Sequence, residues 1–337
     1  MHHAMLWEAL KDSTVACRLC NHYCVIKNYT RGKCGVRENR NGELFTLVGD
    51  TVAAINLDPI EKKPLFHFQP GSRTLSFGTQ GCNFHCSFCQ NADLSQSPAQ
   101  GKRIQGQQVS PDFIVETALR HGASSIAYTY SEPTIFFELM YNTAKAAHAA
   151  GLKNVMVSNG YQSPQCLELL GPYIDAANID LKAFTDSFYK DYIGASLKPI
   201  LKTLETIVDL GWWLEVTTLL IPDANDSKEE LAQLANFIAE KLGKDVPWHI
   251  SRFHPTYKLT DRGITSERSL LDAYNIGIEA GLNYVYVGNI PGNTHENTVC
   301  PKCSSIVINR LGFNSDLDGL RNGNCAQCGF EIKGMKN

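Results

Sequence analysis

The 337-residue sequence has no apolar run long enough to cross a bilayer. Its opening Met-His-His-Ala-Met-Leu-Trp-Glu lacks the basic and apolar regions of a secretory leader. A cytoplasmic location and no membrane partner are the resulting expectations. Net charge is also small, −3, and no run of lysine and arginine is interleaved with aromatics, so a nucleic-acid partner is unsupported. The chain is not poor in core material, being 43% hydrophobic and 19% charged. That balance fits a globular catalytic domain with small satellites. Nor is it poor in cysteine. Twelve cysteines without an export signal point to metal ligation rather than disulfides, because the cytosol keeps thiols reduced.

Eleven of the twelve fall into three groups, and Cys166 stands alone as a small packing residue on a helical stretch. The central group is Cys82, Cys86 and Cys89, spaced C-x3-C-x2-C just after a strand-like run. Three thiolates are one short of a closed site. They suit three irons of an iron-sulfur cube whose fourth iron is open to an exogenous ligand. The competing reading is a zinc site completed by His85, although closed tetrahedral sites usually draw their ligands as two separated pairs. The N-terminal group, Cys17, Cys20, Cys24 and Cys34, places four soft ligands within eighteen residues. Its spacing leaves zinc and a second iron-sulfur cluster both open, with His22 as a possible substitute ligand. The C-terminal group, Cys300, Cys303, Cys325 and Cys328, consists of two C-x2-C knuckles separated by twenty-one residues. Two knuckles close a tetrahedron, so a zinc ribbon or a single rubredoxin-like iron fits.

Between the terminal groups the pattern is strand and helix in alternation. Short apolar runs at Thr74–Gln80, Ser125–Tyr130, Asn154–Ser158, Ala177–Lys182, Trp213–Ile221 and Trp248–Phe253 predict parallel strands, with Tyr284–Gly288 as a possible seventh. Ser110-Pro111 and Ser163-Pro164 predict capped helix starts. Ser227 to Glu230 predicts a capping box ahead of an apolar face made by Leu231, Leu234, Ile238 and Leu242. Glu43–Asn56 reads as a hairpin with its turn at Gly49-Asp50, followed by a loop, Asp58–Phe68, in which Glu61 and Lys62 are solvated charges. The fold class is therefore α/β, a full or partial (β/α)6 TIM-like barrel with small Cys-rich metal modules at both ends. The expected division is 1–73 for the N-terminal metal module and hairpin, 74–292 for the barrel, and 293–337 for the ribbon, joined through a linker at Gly288–Asn293. In such a barrel the site lies at the C-terminal ends of the strands. The residues there are the cysteine loop, Ser131-Glu132-Pro133-Thr134, Asn159-Gly160-Tyr161, Asp180-Leu181-Lys182, Thr217-Thr218-Leu219 and Arg252-Phe253-His254-Pro255.

C-x3-C-x2-C with Phe88 directly before the last cysteine resembles the signature of the radical S-adenosylmethionine (SAM) superfamily. The resemblance implies a [4Fe-4S] cluster on Cys82, Cys86 and Cys89 whose fourth iron is chelated by SAM. It also implies an electron donor such as flavodoxin or ferredoxin, and cleavage of SAM to methionine and a 5'-deoxyadenosyl radical. Ser131-Glu132-Pro133 resembles the Gly-Gly-Glu-Pro element that meets the SAM amino group, with Tyr130 and Ser131 in place of the glycines. Ser158 and Asn159 match the Asn-Gly strand end. Asp180 and Lys182 match the Asp-Leu-Lys that approaches SAM and the reaction site, with Lys182 facing the SAM carboxylate. His254 falls where activating enzymes place a histidine against SAM. Taken with Cys-Arg-Leu-Cys-Asn-His-Tyr-Cys, Asp-Pro-Ile-Glu-Lys-Lys-Pro-Leu-Phe-His-Phe, Trp248–Phe253 and Tyr286–Asn289, the chain resembles the AmmeMemoRadiSam system radical SAM enzymes, homologues of pyruvate formate-lyase activating enzyme. A loop like Asp58–Phe68 lies just upstream of the cluster in relatives of that enzyme.

Three functions follow. An activating enzyme takes hydrogen from a glycine of a partner protein. A small-molecule or cofactor-modifying enzyme closes over its ligand, with the terminal modules as lids or electron relays. A non-catalytic interaction scaffold holds three metal sites and nothing more.

Overall fold

The computed structural model describes residues 2–99, 101–290 and 292–335. Met1, Gln100, Lys336 and Asn337 lie outside the described residues, as does Pro291 of the expected linker. The core is one eight-stranded sheet. Its strands are β1 (Ala54–Pro59), β2 (Arg73–Gly78), β3 (Ser125–Tyr128), β4 (Lys153–Ser158), β5 (Ala176–Asp180), β6 (Trp213–Leu220), β7 (Trp248–Arg252) and β8 (Val285–Gly288). Strands β2 to β8 are parallel and lie side by side in chain order, while β1 pairs antiparallel with β2. Among the described residues the sheet does not close, because β8 pairs only with β7 and β1 only with β2. It is a partial barrel, and the seventh parallel strand is present.

Six helices fill the crossovers: α1 (Pro111–Arg120), α2 (Phe137–Ala149), α3 (Pro164–Leu170), α4 (Leu197–Asp209), α5 (Lys228–Phe237) and α6 (Glu267–Glu279). Ser110, Ser163, Ser227 and Ser266 each accept an N–H of the first turn, which satisfies a donor that the helix itself cannot. The capping box at Ser227 is only half formed. Glu230 turns away to accept the backbone N–H of Phe184, so its carboxylate secures the loop after β5 instead of the helix start. Strand alternation sorts the side chains. Phe77 meets Phe136 and Trp248 crowds Gly277 of α6, which leaves Thr74, Ser76, His249 and Ser251 facing the concave side. Cys166 is fully buried on α3, as its apolar surroundings predict.

The segment read as a hairpin is divided between sheets. Glu43–Thr46 pairs with Arg37–Arg40 and His2–His3, Thr51–Val52 pairs with Gln107–Gln108, and Ala54–Pro59 joins the core as β1. The gain is that β2 acquires a second partner and is not left as a bare edge. After β1 a short 3-10 turn, Ile60–Lys62, leads the chain across the N-terminal ends of the strands. The backbone N–H groups of Phe66 and His67 donate to Glu215 on β6. The C-terminal ribbon packs at this same end, where Arg310 donates to the Phe66 carbonyl and the Ser315 hydroxyl to Glu61. The N-terminal module sits at the other end. Its residues Leu19 and Asn21 hydrogen-bond to Ser163 and Tyr161, just past β4. No helix among the described residues is long and apolar enough to cross a membrane.

Candidate functional site

Beyond Gly78 the backbone leaves the sheet, and the loop with Cys82, Cys86 and Cys89 is held from three sides. Gly81 N–H donates to the Leu94 carbonyl, His85 and Ser87 donate to Ile193 and Tyr192 of the turn Tyr189–Ile193, and Lys258 donates to Ser87. Phe84 and Phe88 are buried between the cysteines, so two apolar anchors fix where the thiols emerge. Donors already surround the sulfurs. Phe84 N–H lies 3.3 Å and Asn159 Nδ2 3.8 Å from Cys82 Sγ, and Ser95 Oγ lies 3.2 Å from Cys89 Sγ. Such donors suit anionic cluster ligands. Burial pushes the Cys86 thiol up to about 12 against the pull of Lys182, and raises Cys82 as well. Iron supplies the positive charge that holds such buried sulfurs as thiolates. His85 is exposed, its Nδ1 lies 2.9 Å from Gln96 Oε1, and among the described residues it does not gather with the three cysteines about a single ion. Buried hydroxyls of Ser87 and Ser131 find no partner among the described residues. The residues present therefore fit a three-cysteine cluster with an added ligand.

The strand-end loops close round this centre through Glu132. One carboxylate oxygen accepts from Thr134 N–H, the Thr134 hydroxyl and the Ser158 hydroxyl, and the other from Asn159 N–H. Glu132 is buried, and burial raises its pKa against these donors. With its lone pairs committed internally, it joins the loop after β3 to the end of β4. Asn159 then reaches both Cys82 Sγ and, at 2.7 Å, Asn83 Oδ1. Tyr130 has φ +69°, the left-handed conformation ordinarily left to glycine. Its hydroxyl donates to Asp58 at 2.6 Å and accepts from Asn56, and Lys63 lies 4.7 Å from its ring centre. A tyrosine is thus held by side-chain bonds where the resembling motif has a glycine.

Lys182 Nζ lies 2.8 Å from Asp180 and 5.9 Å from the centre of the Phe88 ring. Burial works to lower its pKa, but Asp180 and the Cys86 sulfur outweigh that, and the ammonium stays charged. The loop after β7 touches the cysteine loop through Lys258, while His254 itself is exposed. Sequence reasoning missed Asn83, Gln96, Tyr189 and Asn225. Asn83 lies inside the cysteine motif, whereas Tyr189 and Asn225, which bond the backbone of Lys182, carry no local signal.

The ribbon's four sulfurs lie within 4.8 Å of one another, with Cys300 to Cys328 at 3.6 Å and Cys303 to Cys325 at 3.7 Å. Tetrahedral ligands about 2.3 Å from a single ion stand about 3.8 Å apart, so the site fits one zinc or iron. The N-terminal quartet lines one cavity together with Asn83 and Ile135. His22 also lines it, with its Nε2 2.7 Å from the Asn83 carbonyl and its Nδ1 3.5 Å from Lys33 Nζ.

The family description "Radical SAM superfamily" matches residues 77–235. An uncharacterised protein of Methanocaldococcus jannaschii is 43% identical, over 98% of this chain and 99% of its own length. The pyruvate formate-lyase-activating enzyme of Clostridium pasteurianum is 25% identical over 57% of this chain and 84% of its own. Among solved structures, a radical SAM methyltransferase from Sphaerobacter thermophilus superposes with a TM-score of 0.51 at 16% identity, covering 66% of this chain and 67% of that one, a likeness of fold. On these matches the chain belongs to the radical SAM superfamily, whose cofactors are a [4Fe-4S] cluster and S-adenosylmethionine.

Proposed function

We propose that Cys82, Cys86 and Cys89 ligate the [4Fe-4S] cluster and that the chain binds SAM over it for hydrogen abstraction from a substrate. The observation that carries this reading is the three-cysteine loop at the C-terminal ends of the strands, with Lys182, Asp180, Ser131 and Asn159 around it. When bound, the cluster supplies the electron that breaks a carbon-sulfur bond of SAM. Lys182 is the cation for the SAM carboxylate, and the backbone around Ser131 receives its ammonium. Glu132 and Ser158 hold those loops in place, Tyr130 sets their curvature, and His254 meets SAM from the loop after β7. A one-electron carrier of the flavodoxin or ferredoxin class is the reductant.

The substrate we infer first is a glycine of a partner protein, as in the activating enzymes that the chain is similar to, and the unclosed sheet supports entry of a polypeptide. A small polar substrate is favoured by Asn56, Lys62 and Asp58, which place an amide and two charged groups beside Tyr130. The test is anaerobic reduction of the reconstituted protein with SAM, followed by mass spectrometry for 5'-deoxyadenosine. Product that disappears in Cys86→Ala is the expected result, and cleavage retained in that variant overturns the ligand assignment. Deuterium transfer into 5'-deoxyadenosine from a glycine-labelled partner, rather than from a small molecule, separates the substrates.

A further inference from the structure

We propose that Cys17, Cys20, Cys24 and Cys34 hold a second [4Fe-4S] cluster, one that cannot take SAM because each iron has its own protein thiolate. The geometry of the cavity comes first. All four cysteines line one cavity, walled by Leu19, Ile26 and Ile135. A single ion draws four sulfurs to about 3.8 Å from one another, as in the ribbon. Among the described residues only the ribbon cysteines gather in this way, within 4.8 Å. A cube of irons holds its thiolates farther apart, because each takes a different iron.

The donors of the wall provide the second observation. Asn83 is 1% exposed and its Nδ2 has no partner among the described residues. Arg37 is equally buried and its Nε has none. Both residues line the cavity, and Arg37 Nη1 already donates to Cys17 Sγ at 3.3 Å. Buried N–H groups left without acceptors are costly unless something in the cavity receives them. The inorganic sulfides of a cluster are such acceptors, and a zinc ion brings none. The two metal centres also share a wall, since Asn83 directly follows Cys82 and bonds His22 through its carbonyl.

This inference does not rest on the reading of the SAM site, and the experiment separates the two. The full chain is reconstituted anaerobically with iron and sulfide, and labile sulfide and zinc are counted for the wild type and for the triple variant Cys82→Ala, Cys86→Ala, Cys89→Ala. The expected sulfide is about eight per chain in the wild type and about four in the triple variant. After reduction, the triple variant is expected to give a [4Fe-4S] electron paramagnetic resonance signal that SAM does not alter. Adding Cys20→Ala and Cys24→Ala is expected to remove it, with circular dichroism checking that the chain is folded. About four sulfides and a second zinc in the wild type would overturn the proposal without recourse to any variant. So would a residual signal that SAM shifts, or one that survives loss of Cys20 and Cys24.

Discussion

Lys182 is the residue where structure and chemistry press against each other most closely. Its side chain is 15% exposed, its Nζ lies 2.8 Å from Asp180, and the Cys86 sulfur adds to the pull that keeps the ammonium charged. A role confined to pairing Asp180 and a role in meeting the SAM carboxylate make different predictions. In Lys182→Met the cluster's visible spectrum is expected to persist, while SAM affinity measured on the reconstituted protein falls at least about tenfold, the equivalent of about 1.4 kcal/mol. Unchanged affinity would reduce Lys182 to an internal partner of Asp180. Glu132 makes the opposite case, since its carboxylate is committed to Thr134, Ser158 and Asn159. In Glu132→Gln an amide N–H₂ replaces one acceptor and faces donors. A loss of about 2 kcal/mol in chemical denaturation is expected, because a buried donor is left without a partner. A stability within error of wild type would mean that these loops do not depend on the carboxylate.

The elements were legible in the sequence to different degrees, for reasons that lie in their chemistry. Strands β2 to β8 are buried on both faces and so read as apolar runs, and the serine caps of α1, α3 and α5 announce their helices. β1 was not legible as part of the core. Ala54–Pro59 alternates weakly and its partner, β2, lies beyond a thirteen-residue connection, so only tertiary pairing places it. The cysteine groups were legible as ligand sets, and their distance from one another was not. Gly81 shows why, because it joins two of them without any signature. It has φ +109°, and a methyl there would lie 2.7 Å from Val36 Cγ1 and 3.1 Å from the Cys34 carbonyl. Gly81→Ala is therefore expected to cost about 1–3 kcal/mol and to push the catalytic loop off the N-terminal module. Iron bound per chain after reconstitution checks this, and full loading with unaltered thermal stability would contradict the contact.

At the scale of the whole molecule the two metal modules occupy opposite ends, the N-terminal one beside the cysteine loop and the ribbon under the barrel. His67 is the pin at the ribbon end. One ring nitrogen meets the Lys333 carbonyl at 2.7 Å and the other the Tyr286 hydroxyl at 2.6 Å, while its backbone N–H donates to Glu215. As the Lys333 carbonyl only accepts, Nδ1 carries the proton and Nε2 accepts from Tyr286. Burial lowers the His67 pKa from 6.5 to about 4, so the folded protein holds the ring neutral. Glu215 is lowered from 4.5 to about 2, with burial opposing and His249 prevailing. Both groups bind protons more readily when unfolded. Their contribution to stability is therefore complete above pH 6.5 and is lost as pH falls, through His67 between 6.5 and 4 and through Glu215 between 4.5 and 2. Urea denaturation at steps from pH 7 to pH 4 is expected to show a decline of about 3 kcal/mol assignable to His67. In His67→Gln the protein is expected to be less stable at pH 7 but to lose much less on going to pH 4. A variant with the same slope as wild type would place the pH dependence elsewhere. Stripping the ribbon of its ion is expected to lower the thermal midpoint and leave the absorbance of the reconstituted cluster intact, because the described ribbon residues bond to Phe66 and Glu61 at the end of the sheet away from the cysteine loop.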